Sequence, residues 1–202
     1  TMKVSEFFTE LESIRNTPSR TEKESKIKVL LDRDPDLTNQ VFKYAMYPFW
    51  NYRVHVVARN YPLVNGGRMS GADKRWSKFV ALLEDLRLGK LTGNKARNAV
   101  VEQLDHYTDD IHDNMSHWFA GVINQDLSIG VAAGTIKKLM PDLLPETEPM
   151  LCDKLDLENK ADINSKEGWI HEPKLDGLRA LAFIQNGQVT FISRRGKDLY
   201  NT

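Results

Sequence analysis

The sequence predicts a mainly α-helical N-terminal domain over residues 1–148, followed by the first strands of an α+β domain over residues 149–202. Three observations carry this. Apolar residues recur at helical spacing in successive segments up to about residue 140. Pro141, Pro145 and Pro149 then stand four residues apart, where no helix can run through them, and mark a linker. Beyond it, Ala180–Gln185 and Gln188–Ser193 read as strands joined by Asn186-Gly187, the two-residue turn signature of an antiparallel hairpin.

Taken in order, Val4 to Ile14 has the apolar spacing of a helix, with Ser5 as its expected cap. Thr21-Glu22-Lys23-Glu24 has the form of a capping box ahead of Ile27, Val29, Leu30 and Leu31. Asp36 to Phe49 is apolar and aromatic, with Pro48 near its end. Asp73 to Leu88 is amphipathic, with Trp76, Phe79, Val80, Leu82, Leu83 and Leu86 on one side and Gly89 as the stop. Thr92 then caps a helix through Val100 and Leu104, and residues 113–124 and 131–140 give two more. The polar stretch Asp153 to Gly168 reads as a surface excursion, and Trp169-Ile170-His171 as the start of a strand leading into Lys174.

Composition excludes some classes. Apolar residues at 41% and charged residues at 28% are ordinary for a soluble globular protein. No apolar run approaches the ~20 residues of a membrane span, and no secretory signal opens the chain. The single cysteine, Cys152, cannot form an internal disulfide and is expected to be inert, which fits a reducing interior. The expectation is a monomeric, cytoplasmic protein, in the host cytoplasm if viral.

The zero net charge conceals a strong asymmetry. Residues 41–100 hold eleven Lys and Arg against three acids, a local +8. Residues 101–150 hold two lysines against nine acids, a local −7. So dense a basic block is the footprint a phosphate backbone demands; a solvated helix surface balanced by the acidic block is the other reading. Within it, Lys90, Thr92, Gly93, Asn94, Lys95 and Arg97 surround a helix start, whose free N–H groups attract anions; a plain cap is the alternative. Arg68, Lys74 and Arg75 sit beside the glycine-rich Asn65-Gly66-Gly67. That loop lacks the Gly-Lys-Ser/Thr ending of a P-loop, leaving a flexible loop or one whose amides approach DNA phosphates. Tyr44, Tyr47, Phe49, Trp50 and Tyr52 are expected to pack in the core. His106, Asp109, Asp110, His112, Asp113 and His117 match no metal-ligand spacing and are expected to form a solvated acidic face.

The most informative segment is Glu172-Pro173-Lys174-Leu175-Asp176-Gly177-Leu178-Arg179. It sets a lysine at an Asp-Gly turn between a carboxylate and an arginine, where an amine can serve as a covalent nucleophile. Asp-Gly between apolar stretches is also the signature of an ordinary hairpin. The predicted strand pair after it delivers Ser193-Arg194 beside the strand that begins near the lysine.

Lys174-Leu175-Asp176-Gly177-Leu178-Arg179 resembles the nucleotidyl-transfer motif of DNA ligases, RNA ligases and messenger RNA capping enzymes, and Ser193-Arg194 resembles its second element. Gly89 to Asn94, Asp126 to Gly130 and Pro141 to Leu151 resemble the DNA-binding region of ATP-dependent DNA ligases, nearest to the T-even bacteriophage type. The resemblance implies an enzyme of DNA replication, repair and recombination that seals nicks in duplex DNA. Lys174 would take AMP from ATP as a covalent lysyl-AMP, with Mg2+ and arginines stabilising the phosphate in transfer. By matching position, Glu172 would bind the adenine amino group, Arg179 and Arg194 would contact the nucleotide or nick phosphate, and Gly177 would allow the close turn.

The same resemblance implies elements that 202 residues do not contain: a metal-binding acidic strand, an aromatic against adenine, late paired lysines and an OB-fold domain. No metal ligand is therefore expected within this chain. It reads as an N-terminal portion that binds DNA, with sealing reserved for the whole ligase. A helical DNA-binding module without enzymatic activity, or an RNA ligase or capping nucleotidyltransferase, are the alternatives. The long basic helical region ahead of the lysine argues against the latter pair.

Overall fold

A computed structural model describes residues 1–105, 107–108, 111–144, 173, 177, 179–185, 188–193 and 199. The chain divides into two compact units, Thr1–Pro145 and Glu146–Thr202. In the first run α1 (Val4–Asn16), α2 (Arg20–Arg33), α3 (Pro35–Met46), a 3-10 turn (Ala58–Asn60), α4 (Ala72–Arg87), α5 (Gly93–Leu104), β1 (Tyr107–Thr108), β2 (Ile111–His112), α6 (Asn114–Ile123) and α7 (Ala133–Leu139). In the second, β3 (Ala180–Gln185) pairs antiparallel with β4 (Gln188–Ser193). The architecture is a mainly α N-terminal unit followed by a second unit whose described residues form one antiparallel strand pair.

Caps set the helix boundaries. α1 starts after Lys3, so Ser5 lies within the helix and does not cap it. The cap of α2 is Ser19, whose Oγ accepts the Glu22 N–H at 3.4 Å. Ser19-x-x-Glu22 competes with Thr21-x-x-Glu24 for the same role, and the earlier pair, following Pro18, takes it. Asp34 caps α3 by accepting from Leu37 N at 3.1 Å, and its second oxygen accepts from Met2 N at 2.6 Å. α3 stops at Met46 rather than Phe49, because the residue preceding Pro48 disfavours helical backbone. Tyr47, Phe49 and Trp50 consequently leave the helix and are half-buried, while Tyr44 and Tyr52 lie in the core.

The core is aromatic and centred on α6. Phe8 of α1 stacks on Trp118 at 5.5 Å, Trp76 of α4 meets Phe8 edge-on, and Phe79 stacks on Phe119 at 3.9 Å. Such pairs contribute ~0.5–1.5 kcal/mol each beyond their burial. Of the residues expected on a solvated acidic face, Asp113 and His117 turn inward instead, while His106, Asp109 and Asp110 lie outside the described residues. Residues 107–108 and 111–112 make a two-stranded ladder, and Asp113, which follows it, is 2% exposed. Asp113 caps α6 through Met115 N at 2.9 Å, accepts Ser70 N at 2.8 Å and pairs with Arg75 at 2.8 Å. A carboxylate with three donors can be buried where a lone one cannot.

Polar side chains at the two ends of α6 clip the long connection between α3 and α4. Asn114 accepts Val64 N at 3.0 Å and donates to Val64 O at 2.8 Å. Asn124 does the same to Val56, at 3.0 and 2.7 Å. Gln125 Nε2 donates to Tyr47 O and Trp50 O at 3.2 and 2.7 Å. Gly67 is required by this packing, since a Cβ there would stand 2.6 Å from Asn114 Oδ1.

His117 completes the clip. Its Nε2 meets Arg15 Nη1 at 2.9 Å and its Nδ1 meets Tyr61 O at 2.9 Å. A guanidinium can only donate, so Nε2 accepts and the proton sits on Nδ1. Burial, with Arg15 beside it, holds His117 below the ordinary histidine value of 6.5, against the Tyr61 bond that favours its charged form. Below pH 6.5 the unfolded chain then binds a proton that the native imidazole refuses. Stability present above that value is lost as pH falls through the lowered native one. Unfolding free energies from urea titrations at pH 7.5 down to 5 should decline by up to ~1.4 kcal/mol per pH unit from this group. His117→Gln should flatten that decline; an unchanged pH dependence in the variant would refute the assignment.

In the second unit, Ala180 pairs with Ser193 and Gln185 with Gln188. Ile192 is buried, whereas Ile184 and Val189 are exposed. Among the described residues, no helix is long and apolar enough to cross a membrane.

Candidate nucleic-acid interface

α4 and α5 form an antiparallel hairpin, because Arg75 at the start of α4 reaches Gln103 O near the end of α5 at 3.4 Å. Its tip is built by a Schellman closure. Gly89, at φ 69°, donates to Leu86 O at 3.0 Å, and Lys90 N donates to Asp85 O at 2.9 Å. Gly89 takes this left-handed backbone without the steric cost a Cβ would bring. The closure fixes where Lys90 leaves the helix and where α5 begins.

Thr92 occupies the N-cap position of α5 in an extended conformation, and its hydroxyl makes no cap bond. The first inward bond is Ala96 N to Thr92 O at 3.4 Å. The amides of Gly93, Asn94 and Lys95 have no acceptor among the described residues. α1 to α4 each carry an acid in the first turn: Glu6, Glu22, Asp36 and Asp73. α5, like α6 and α7, carries none, and it shows exposed Lys95 and Arg97. Cations at the positive end of a helix dipole oppose it by ~0.3–1 kcal/mol each, unless an anion joins them. Lys90 adds a side chain that is 65% exposed, with only Asp85, itself exposed, at 3.5 Å. Such a surface pair is weak and readily exchanged for phosphate.

The nine basic-block positions expected to meet DNA thus fall in two places. Lys90, Thr92, Gly93, Asn94, Lys95 and Arg97 share the hairpin tip. Arg68, Lys74 and Arg75 lie at its base, about 20 Å away by the helical rise. Lys74 and Arg68 are exposed there. Arg75 is committed inward: its side chain is 13% exposed, pairs with Asp113, and lies 5.5 Å from the Phe119 ring. The glycine-rich loop likewise turns amides inward, Gly67 N to Val64 O and Ser70 N to Asp113.

Lys174, Glu172 and Arg194 lie outside the described residues. Arg179 is exposed immediately ahead of β3, and the Ala180–Ser193 pairing puts Ser193 at that same end of the hairpin. Among the described residues, no group of three His, Cys, Asp or Glu side chains is placed to hold a metal ion. Cys152 lies outside them.

The sequence reading missed Asn114, Asn124 and Gln125 as clips and Arg53 as a neighbour of the tip. Their visible signal was slight: amide residues bracketing the apolar run from Met115 to Ile123.

No family model matches the chain, and no curated protein does. Among the solved structures similar to it are two named Pmar-Lig_PreS3 and Pmar-Lig_Pre.. Each is 24% identical over 94% of this chain, with a TM-score of 0.59. The chain spans 42% of the length of either structure. The likeness is one of fold.

Proposed function

We propose that this chain is the DNA-holding portion of an ATP-dependent DNA ligase. The observation that carries the reading is the hairpin tip, where unpaired α5 amides, Lys90, Lys95 and Arg97 converge with no acid in the helix's first turn. That arrangement suits a phosphate backbone, which is contacted by charge and amide donors without reading bases. The fold likeness to two structures whose names contain "Lig" and the Lys174 to Arg179 string support the ligase assignment.

In the whole enzyme, the Lys174 amine would attack the α-phosphorus of ATP. A P–N bond forms as the bond to the β-phosphate oxygen breaks, and pyrophosphate leaves. An amine attacks only after losing its proton, so cationic neighbours or desolvation at Lys174 would favour the free base. Mg2+ would offset charge on the phosphates. The AMP would pass to the 5′-phosphate of a nick, and the adjacent 3′-hydroxyl would displace it to join the strands.

Fluorescence anisotropy with a nicked duplex tests the binding assignment. Wild-type chain should bind with affinity falling steeply between 50 and 200 mM salt, on the order of 10-fold or more for several phosphate contacts. Joint replacement of Lys90, Lys95 and Arg97 by Gln should reduce the slope of log Kd against log salt by about 3. Absence of binding at low salt, or an unchanged slope in the triple variant, would overturn the proposal.

A further inference from the structure

We propose that the duplex-binding surface continues from the hairpin tip across a shelf formed by Lys43, Trp50 and Arg53, which takes further phosphates of the DNA backbone; this rests on the DNA-binding reading above. The shelf exists because α3 ends at Met46 and the chain turns through Pro48, leaving Tyr47 and Trp50 half-buried rather than in the core. Their rings lie 4.9 Å apart, and Gln125 holds the backbone of both.

Two cations lie over the indole, and they differ in a telling way. Arg87 sits 4.8 Å from the Trp50 ring and is neutralised by Glu84, with Nε to Oε1 at 2.8 Å. Tyr44 also donates to Glu84 at 2.8 Å, so this carboxylate is fully engaged. Lys43 Nζ lies 5.3 Å from Trp50 and 5.6 Å from Tyr47, is exposed, and has no carboxylate partner among the described residues. Packing explains Arg87. It does not explain an unneutralised ammonium held over two rings, where the face of an aromatic positions a cation while leaving its N–H donors open.

Arg53 ties the shelf to the tip. It holds a left-handed backbone at φ 56°, uncommon for a residue with a side chain, and its N–H is accepted by Asn51 Oδ1 at 2.7 Å. Its Nη1 lies 3.7 Å from where a Cβ on Gly89 would stand, so this arginine reaches the turn that launches Lys90. Arg53 is exposed and has no acid partner among the described residues. A run of contacts therefore links Lys43 to Trp50, Trp50 to Arg87 at the end of α4, and Arg53 to Gly89 beside Lys90. The acids facing this band are Glu84, already paired, and Asp85, weakly paired to Lys90. Duplex DNA presents about one charge per 1.7 Å of axis, so a band of spaced cations without matching acids suits it.

The test uses the full chain, a fluorescent nicked duplex and salt titration from 50 to 300 mM. Lys43→Gln and Arg53→Asn, the latter tolerant of left-handed backbone, should each lower the salt slope by about 0.9 and weaken binding several-fold at 100 mM. Lys28→Gln on α2 serves as the remote comparison and should change neither. Thermal midpoints equal to wild type confirm that the variants fold. If the tip variant lowers the slope and Lys43→Gln and Arg53→Asn do not, the shelf is overturned while the DNA-binding reading stands. If wild-type chain does not bind duplex at all, both fall.

Discussion

Asp113→Asn should destabilise the helical unit by about 3 kcal/mol, the largest loss of stability expected from any single polar substitution in it. The carboxylate is 2% exposed and serves Arg75, Ser70 N and Met115 N together. An amide of the same shape turns one acceptor into a donor that faces another donor. It also strands a guanidinium whose side chain is only 13% exposed. At 2–4 °C per kcal/mol for a domain of this size, the thermal midpoint should fall by ~10 °C. Adding Arg75→Met should recover part of the loss, because removing both partners leaves no uncompensated charge. A change under about 1 kcal/mol in Asp113→Asn, or further loss in the double variant, would show that Asn114 holds the loop alone.

On the proposed ligase reading, Lys174→Ala in the full-length protein should abolish nick sealing while sparing DNA binding. The proposal gives Lys174 the only covalent role, and Lys90, Lys95 and Arg97 the grip on phosphate. Intact mass after incubation with ATP and magnesium separates the two: wild-type enzyme gains one AMP and the variant gains none. Residual adenylylation in Lys174→Ala would transfer the nucleophile to another residue. Loss of duplex affinity in the same variant would deny the division of labour.

What the sequence showed and hid has a physical pattern. Apolar periodicity located α4 and α5 closely, and Gly89 marked the stop, because those signals depend on nearest neighbours along one helix. The Asn186-Gly187 turn likewise gave the strands flanking it, Ala180–Gln185 and Gln188–Ser193. Asp113 and His117 were misread as solvated because their burial is produced by partners far along the chain: Ser70 and Arg75 for one, Arg15 and Tyr61 for the other. Arg75 was grouped with surface cations for the same reason. Trp50 was assigned to the core although Pro48 is a local sign that α3 stops before it; the weight of the apolar and aromatic run outran that sign. The basic block was legible as charge, but its division between tip and base required the hairpin's direction, which one side chain reaching Gln103 reveals. Lys174, Glu172 and Arg194 lie outside the described residues.

On the proposed DNA-binding reading, the clips that α6 places on residues 47–71 bear on how fast a duplex is captured. A segment of that length with one 3-10 turn would ordinarily have to order itself around its ligand, slowing association and opposing affinity. Here Asn114, Asn124 and Gln125 fix its backbone in the free protein. Encounter with a duplex would then be a rigid docking steered by charge, with differences among duplexes expressed in residence time rather than in arrival.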